Sequence, residues 1–166
     1  MLNRCEPQKI GPVIRLAHPE DREAVEATVR AAYSVYIERM GKPPGPMLDD
    51  YARLITDQTL SVIEEAGEVV ALIVLLPKPD HLLLDNVAVR PDRQGAGLGR
   101  RLIAFAEDEA RRRGYNEVRL YTHQTMSENI ALYRRLGFVE TGRGSQDGYE
   151  RVFMTRSVHD PKPGPV

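Results

Sequence analysis

Residues 82–113 read LLLDNVAV RPDRQGAGLGR RLIAFAEDEARRR, and they decide the fold. The run 82–89 is short enough for a strand and apolar at nearly every position, which predicts burial on both faces. Residues 93–100, RQGAGLGR, set Gly95, Gly97 and Gly99 at alternating positions between two arginines. From about 97 to 113, Leu98, Leu102, Phe105 and Ala106 recur at helical spacing, and Gly114 stands where a helix ends well. Glu107–Arg111, Asp108–Arg112 and Glu109–Arg113 are acid-before-base pairs, each worth about 0.2–0.5 kcal/mol on a solvated face. A strand ending near Val89 and a helix starting near Gly97 leave N–H groups unpartnered at the positive end of a dipole. Glycines remove the Cβ atoms that would hold a ligand off this backbone. Such a hinge suits phosphate or pyrophosphate, or it is an ordinary tight turn. A phosphate loop of the Walker type needs Lys-Ser/Thr after its last glycine, and Arg100-Arg101 stand there. The dinucleotide fingerprint needs G-x-G-x-x-G, and the spacing here is G-x-G-x-G.

Upstream, LSVIEE (60–65), the turn AGE and VVALIVLLP (69–77) read as a hairpin. VIRLA (13–17) is a short strand. His18-Pro19-Glu20-Asp21 opens a helix that Val25, Val29, Ala32, Tyr36 and Met40 carry to about Met40. GKPPGP (41–46) breaks it, and a shorter helix follows over 48–55. Downstream, EVRLYT (117–122) is a strand and 125–136 a helix. Thr125 and Glu128 fit a capping box that starts this helix near Met126. FVETGRG and GYERVFMTR form a last hairpin around Gln146-Asp147-Gly148. The order β-α-α-β-β-β-α-β-α-β-β predicts an α/β (α+β) domain, a mixed sheet with helices on its faces, over residues 1–158. The tail 159–166, with three prolines, is expected to be disordered.

The chain has 166 residues, 23 Lys and Arg against 24 Asp and Glu, and a net charge of −1. This suits one domain and no nucleic-acid surface. The basic run Arg111–Arg113 closes a helix, where cations suit the dipole. A lone cysteine, Cys5, predicts a reducing compartment and no internal disulfide. With no apolar run of about 20 residues and no signal-peptide core at the N-terminus, the expectation is a soluble cytoplasmic protein without a membrane partner. His18, His81, His123 and His159 show no ligand spacing with one another or with Cys5, so no metal is expected.

The glycine hinge does not stand alone. Gln94-x-x-Gly97-x-Gly99 follows Val87-Ala88-Val89, and ENIALYRRLGF (128–138) comes after the next strand. Together these blocks resemble the GNAT superfamily of acyl-CoA-dependent N-acetyltransferases, closely over about residues 60–155 and by element order before that. The resemblance implies a mixed, mostly antiparallel sheet of about six to seven strands with helices on both faces. It also implies a parallel pair that splays apart, namely the strand ending at Val89 and the strand 117–122. Acetyl-CoA would lie in that notch and give its acetyl group to a primary amine of a small molecule or peptide. The backbone at Val87, Ala88 and Val89 would meet the pantetheine arm and thioester, one N–H serving as an oxyanion donor worth about 3–4 kcal/mol. Amides of Gly95, Ala96, Gly97, Leu98, Gly99 and Arg100 would hold the pyrophosphate. Gln94 would shape the loop, and Arg93 or Arg100 would add charge. The alternative is a non-catalytic acyl-CoA sensor or interaction module on the same fold. A monomer and a homodimer both fit.

Asn129 and Tyr133, four apart, share a helix face. In the resemblance Asn129 meets the pantetheine amides and Tyr133 sets its hydroxyl at the sulfur. A leaving thiolate of pKa about 8.5, by analogy with cysteine, gains from such a donor, and general-acid help is typically about 10²–10⁴-fold. By its face alone, Tyr133 also reads as a packed core residue, and Leu136-Gly137-Phe138 as a helix C-cap. Family members often carry a base glutamate where Leu83 or Tyr121 stands here. The substitutes are His123, which could equally cap a strand end, and then Asp85, which in an apolar run needs a buried partner. A water chain is the third option. The N-terminal helices would roof the acceptor pocket with Tyr33, Tyr36, Met40, Met47, Asp50 and Tyr51, although Tyr36 and Met40 share the core stripe of Val25. Asp49 and Asp50 would attract a cationic amine or start the second helix.

Overall fold

A computed structural model describes residues 12–161; Cys5 lies outside them. Among the described residues seven strands make one sheet, ordered β1-β2-β3-β4-β5-β7-β6. They are β1 Val13–Leu16, β2 Leu60–Glu65, β3 Glu68–Pro77, β4 Leu82–Val89, β5 Glu117–His123, β6 Val139–Gln146 and β7 Tyr149–Ser157. Every neighbouring pair is antiparallel except β4 with β5. Helices α1 Arg22–Tyr33, α2 Ile37–Met40 and α3 Tyr51–Thr56 follow β1, α4 Leu98–Arg112 joins β4 to β5, and α5 Ser127–Arg135 follows β5. The two hairpins turn on left-handed pairs, Ala66-Gly67 and Asp147-Gly148, the two-residue geometry that matches strand twist.

The sheet has a core on each face. Val25, Val29, Tyr51 and Ile55 pack with Leu60, Val62, Leu72 and Val74 on one side. Leu98, Leu102, Ala106 and Ile130 pack with Ile73, Leu82, Val118 and Met154 on the other. The strand buried on both faces is β3, from Val69 to Leu75. β4 was the expected one, but it alternates buried and half-exposed residues. The reason is its far end. β4 pairs with β5 only through Leu82, Leu83 and Leu84, opposite Val118, Arg119 and Leu120, and then the strands part. At the same point Val74 pairs with Asn86 and Leu75 with Leu84, which leaves Asp85 as an extra residue in a bulge. A bulge bends a strand and re-aims its side chains.

Several local expectations change. α1 stops at Tyr33 and reaches Met40 through a tighter 3₁₀ turn, Ser34–Tyr36, and α2. The second helix starts at Tyr51, capped by Asp50, whose Oδ1 accepts from the Arg53 N–H at 3.1 Å. The capping box at α5 does not form. Met126 takes the cap position without a side-chain bond, and Thr125 turns to His123 instead. Asp108 pairs with Arg111 at 2.9 Å and Arg112 with Glu109 at 2.6 Å, the shorter i,i+3 reach. Glu107 is not solvated: its side chain is 5% exposed and meets Arg156, 3% exposed, at 2.5 Å. Gly137 makes room for that arginine. It has φ 93°, and a Cβ there would sit 2.0 Å from Arg156 Nη1. At the start of the tail, His159 Nε2 lies 3.0 Å from Asn116 Oδ1 and Arg156 Nη2 donates to the Pro161 carbonyl at 3.0 Å. Residues 162–166 lie outside the described residues. Among the described residues no helix is long and apolar enough to cross a membrane.

Candidate active site

The gap between β4 and β5 is the site's foundation. Arg90 N–H bonds the Val70 carbonyl on β3, so by strand alternation Val87 and Val89 turn their N–H and C=O groups the other way, into the gap. Two side chains already meet the carbonyls. The Tyr33 hydroxyl lies 2.9 Å from Val87 O, and Gln94 Nε2 donates to Val89 O at 3.2 Å. The N–H groups of Val87 and Val89 are left facing the gap. Gln94 thereby ties the glycine loop to the end of β4.

Gly97 caps α4 in the left-handed conformation, φ 81°. The first partnered amide after the loop is Arg101, which donates to Gly97 O at 3.1 Å. The N–H groups of residues 95–100 find no acceptor among the described residues. Nothing lies within 4 Å of where Cβ atoms on Gly95, Gly97 or Gly99 would stand, so the amides are open to a ligand. Leu98 buries its side chain in the core and offers only its backbone. The Arg100 side chain is exposed, while Arg93 is held by Glu65 at 2.6 Å and is not available to a phosphate.

A cleft of about 440 Å³, its open mouth included, runs into the gap. Asp85, Val87, Tyr121, His123, Asn129, Tyr133 and Arg151 line it, with Tyr33 and Met40 from the N-terminal helices. Tyr133 is 8% exposed, and its ring packs edge-on against Phe138 at 5.8 Å. Its hydroxyl has no hydrogen-bond partner among the described residues, and burial pushes its pKa up to about 12. It therefore stays protonated at neutral pH. Asn129 shares the face, one turn away.

The two base candidates differ. His123 Nδ1 accepts the Thr125 backbone N–H at 3.2 Å and lies 2.8 Å from Thr125 Oγ1. A backbone N–H can only donate, so Nδ1 carries the lone pair and Nε2 the proton. Burial, then the charge of Arg151, pushes the imidazole below its ordinary pKa. The ring is neutral, and its one free lone pair is engaged. Asp85 accepts the Tyr121 hydroxyl, whose pKa burial raises, then this bond. Asp49 stands near it, its carboxyl pushed up to about 6 by partial burial, then by the charge of Asp85.

The roof is partly as expected. Met40, Pro44, Gly45 and Pro46 cover the cleft beside Tyr33, but Tyr36, Met47 and Tyr51 do not line it. Tyr36 sits half-buried under Arg39, 5.2 Å from its ring. Met47 packs on the N-terminal core. Tyr51 is 3% exposed and lies beneath the cleft, accepting from Asn86 Nδ2 at 3.0 Å and donating to Pro46 O at 2.5 Å. Asn86 Oδ1 in turn takes the Tyr33 hydroxyl at 2.6 Å. Among the described residues no group of His, Cys, Asp or Glu is placed to hold a metal ion.

A sequence model described as the acetyltransferase (GNAT) family matches residues 24–138. The chain belongs to that family. It is 29% identical over 146 residues to the N-acetyltransferase YjgM of Escherichia coli K12, covering 82% of this chain and 86% of that one. The PaiA N-acetyltransferase of Thermoplasma acidophilum, crystallised with coenzyme A, superposes with a TM-score of 0.75 at 18% identity, over 89% of this chain and 99% of its own. The ribosomal-protein-S18-alanine N-acetyltransferase of Escherichia coli superposes with a TM-score of 0.70 at 24% identity, over 93% and 99%. These two likenesses show the fold.

This GNAT protein is an acyltransferase, and its sheet with one parallel pair matches the fold of its structural neighbours. Sequence reasoning missed Asn86 and Arg151 and weighed Tyr121 only as a missing glutamate. Asn86 had a signal, an amide inside an apolar strand, which must find partners. Arg151 had none, because its neighbours on β5 and in the roof are remote in sequence.

Proposed function

We propose that the chain, acting as one catalytic domain, transfers an acetyl group from acetyl-CoA directly to a primary amine. One observation carries the reading: an unpartnered, protonated tyrosine faces the strand gap that opens beside a run of free loop amides. Acetyl-CoA supplies the thioester that the amine attacks. The amides of residues 95–100, at the α4 N-terminus, suit its pyrophosphate, with Arg100 adding charge. The N–H groups of Val87 and Val89 suit the pantetheine arm and the carbonyl oxygen, and Asn129 a pantetheine amide.

The amine enters under the roof, on the Asp85 side. Its nitrogen forms the new bond to the carbonyl carbon, the carbon–sulfur bond breaks, and the thiolate leaves. The Tyr133 hydroxyl donates to the departing sulfur. The ammonium proton leaves through water ordered by Asp85. Asp85 suits this role better than His123, whose lone pair serves Thr125.

Titration calorimetry with coenzyme A and thiol release on an amine panel test the reading. Binding with release on some amine supports it. Absence of binding overturns it, and binding without release on any amine leaves only an acyl-CoA-binding module.

A further inference from the structure

Arg151 is the cleft group that acetyl transfer does not use. It comes from β7, opposite His123 in the ladder. Its guanidinium carbon lies over two rings, 4.5 Å from the Tyr121 centroid and 4.8 Å from that of Tyr149. It makes no hydrogen bond and no ion pair among the described residues, and its Nε is buried without an acceptor. Neither Asp49 nor Asp85 pairs with it. A second cation, Lys42, lies 3.8 Å from the other ring, Tyr149. Arg151 is half-buried, and a buried Nε without an acceptor is unfavourable, since buried donors in native proteins normally find partners. The free fork matches a carboxylate, which it can hold with two parallel bonds.

Tyr121 sets the spacing. Its face carries Arg151, and its hydroxyl bonds Asp85, so cation and carboxylate stand one phenol apart in the same cleft. The loop 41–46 borders the cleft beside Arg151. It is held there with Lys42 Nζ on the Gly148 carbonyl, the Tyr149 hydroxyl donating to Pro43 O at 2.8 Å, and Gly45 over the Arg151 guanidinium.

We infer that the acceptor is a small amino acid, its amine toward Asp85 and its carboxylate on Arg151. The inference deepens the acetyl-transfer reading and rests on it; the chemical step is unchanged. The test is thiol release by the full chain on three matched series: free amino acids, their carboxamides and the corresponding decarboxylated amines, with short peptides as a fourth. The acids should exceed their carboxamides in kcat/KM by about tenfold or more, the scale of a charged hydrogen-bonded contact. Arg151→Gln should remove that preference by raising KM on the acids far more than on the carboxamides, and Arg151→Lys should restore part of it. Calorimetry with an N-acetylated amino acid gives a second readout, with binding lost in Arg151→Gln while coenzyme A affinity stays. Thermal unfolding confirms that the variants are folded. Equal or better turnover of carboxamides, decarboxylated amines or peptides by the unaltered protein overturns the inference and leaves acetyl transfer standing. So does a preference that survives Arg151→Gln. No release on any series overturns both.

Discussion

Arg151 and Arg156 lie on one strand in opposite surroundings. Arg156 is buried in the core with Glu107 against its Nε and the Pro161 carbonyl on its Nη2. Arg151 faces the cleft against two tyrosine rings and Gly45, with no acceptor on its guanidinium among the described residues. Two tyrosines repeat the contrast. Tyr51, in the N-terminal core, has a partner for both its hydrogen and its oxygen; Tyr133, equally sheltered, has neither. Apart from Arg93 Nε, buried without a partner beside the Glu65 ion pair, the buried side-chain nitrogens and oxygens outside the cleft are satisfied among the described residues, and the cleft leaves a cation, a phenol and a run of amides for something else. Buried unsatisfied groups are rare in native proteins, so several of them in one cleft point to a site.

The sharpest break of this contrast is Tyr133→Phe. If the hydroxyl serves the sulfur, kcat falls by about 10²–10⁴-fold while coenzyme A affinity and urea stability hold. Retained turnover with lost stability would make Tyr133 a core residue like Tyr51. Next is Arg156→Met, which takes the buried partner from Glu107 and leaves it, among the described residues, only Arg111, 3.8 Å away. Chemical unfolding should show a loss of about 3–5 kcal/mol, largely recovered by adding Glu107→Leu. Asn86→Leu breaks the Tyr33–Asn86–Tyr51 chain beneath the cleft, and about 1–3 kcal/mol of stability should go, by the same measurement. Gly97→Ala meets no atom, so its cost is the left-handed backbone alone, about 1–2 kcal/mol. It should appear as weaker coenzyme A binding in calorimetry. The smallest effect concerns pH. The working form of Tyr133 is protonated, and its pKa is raised from 10 to about 12, so ionisation cannot switch it off until pH approaches 12. A kcat profile should show no alkaline fall up to pH 10; a fall centred there would mean an ordinary, solvated phenol.

Much of the fold was legible because its signals are local. Hairpin glycines, helical spacing and the strand–glycine–helix order each depend on a few neighbouring residues. The errors came where distant residues intervene. Glu107 looked solvated because Arg156, which buries it, lies on a strand remote in sequence. The Thr125 capping box failed because His123 offered its hydroxyl a competing partner. β4 looked doubly buried because composition does not reveal where a neighbouring strand departs.

The site divides in the same way. The amides that suit the coenzyme could be located from sequence, since glycine positions and a helix start define them, and Asn129 and Tyr133 share a face by periodicity alone. The acceptor side could not. Asp85 is aimed by a bulge in the β3–β4 ladder, Arg151 comes from β7, and the roof is closed by a loop strapped to the last hairpin. Backbone conformation follows from residues close in the chain. The facing of one charge toward another across the cleft depends on packing between elements, which only the folded chain determines.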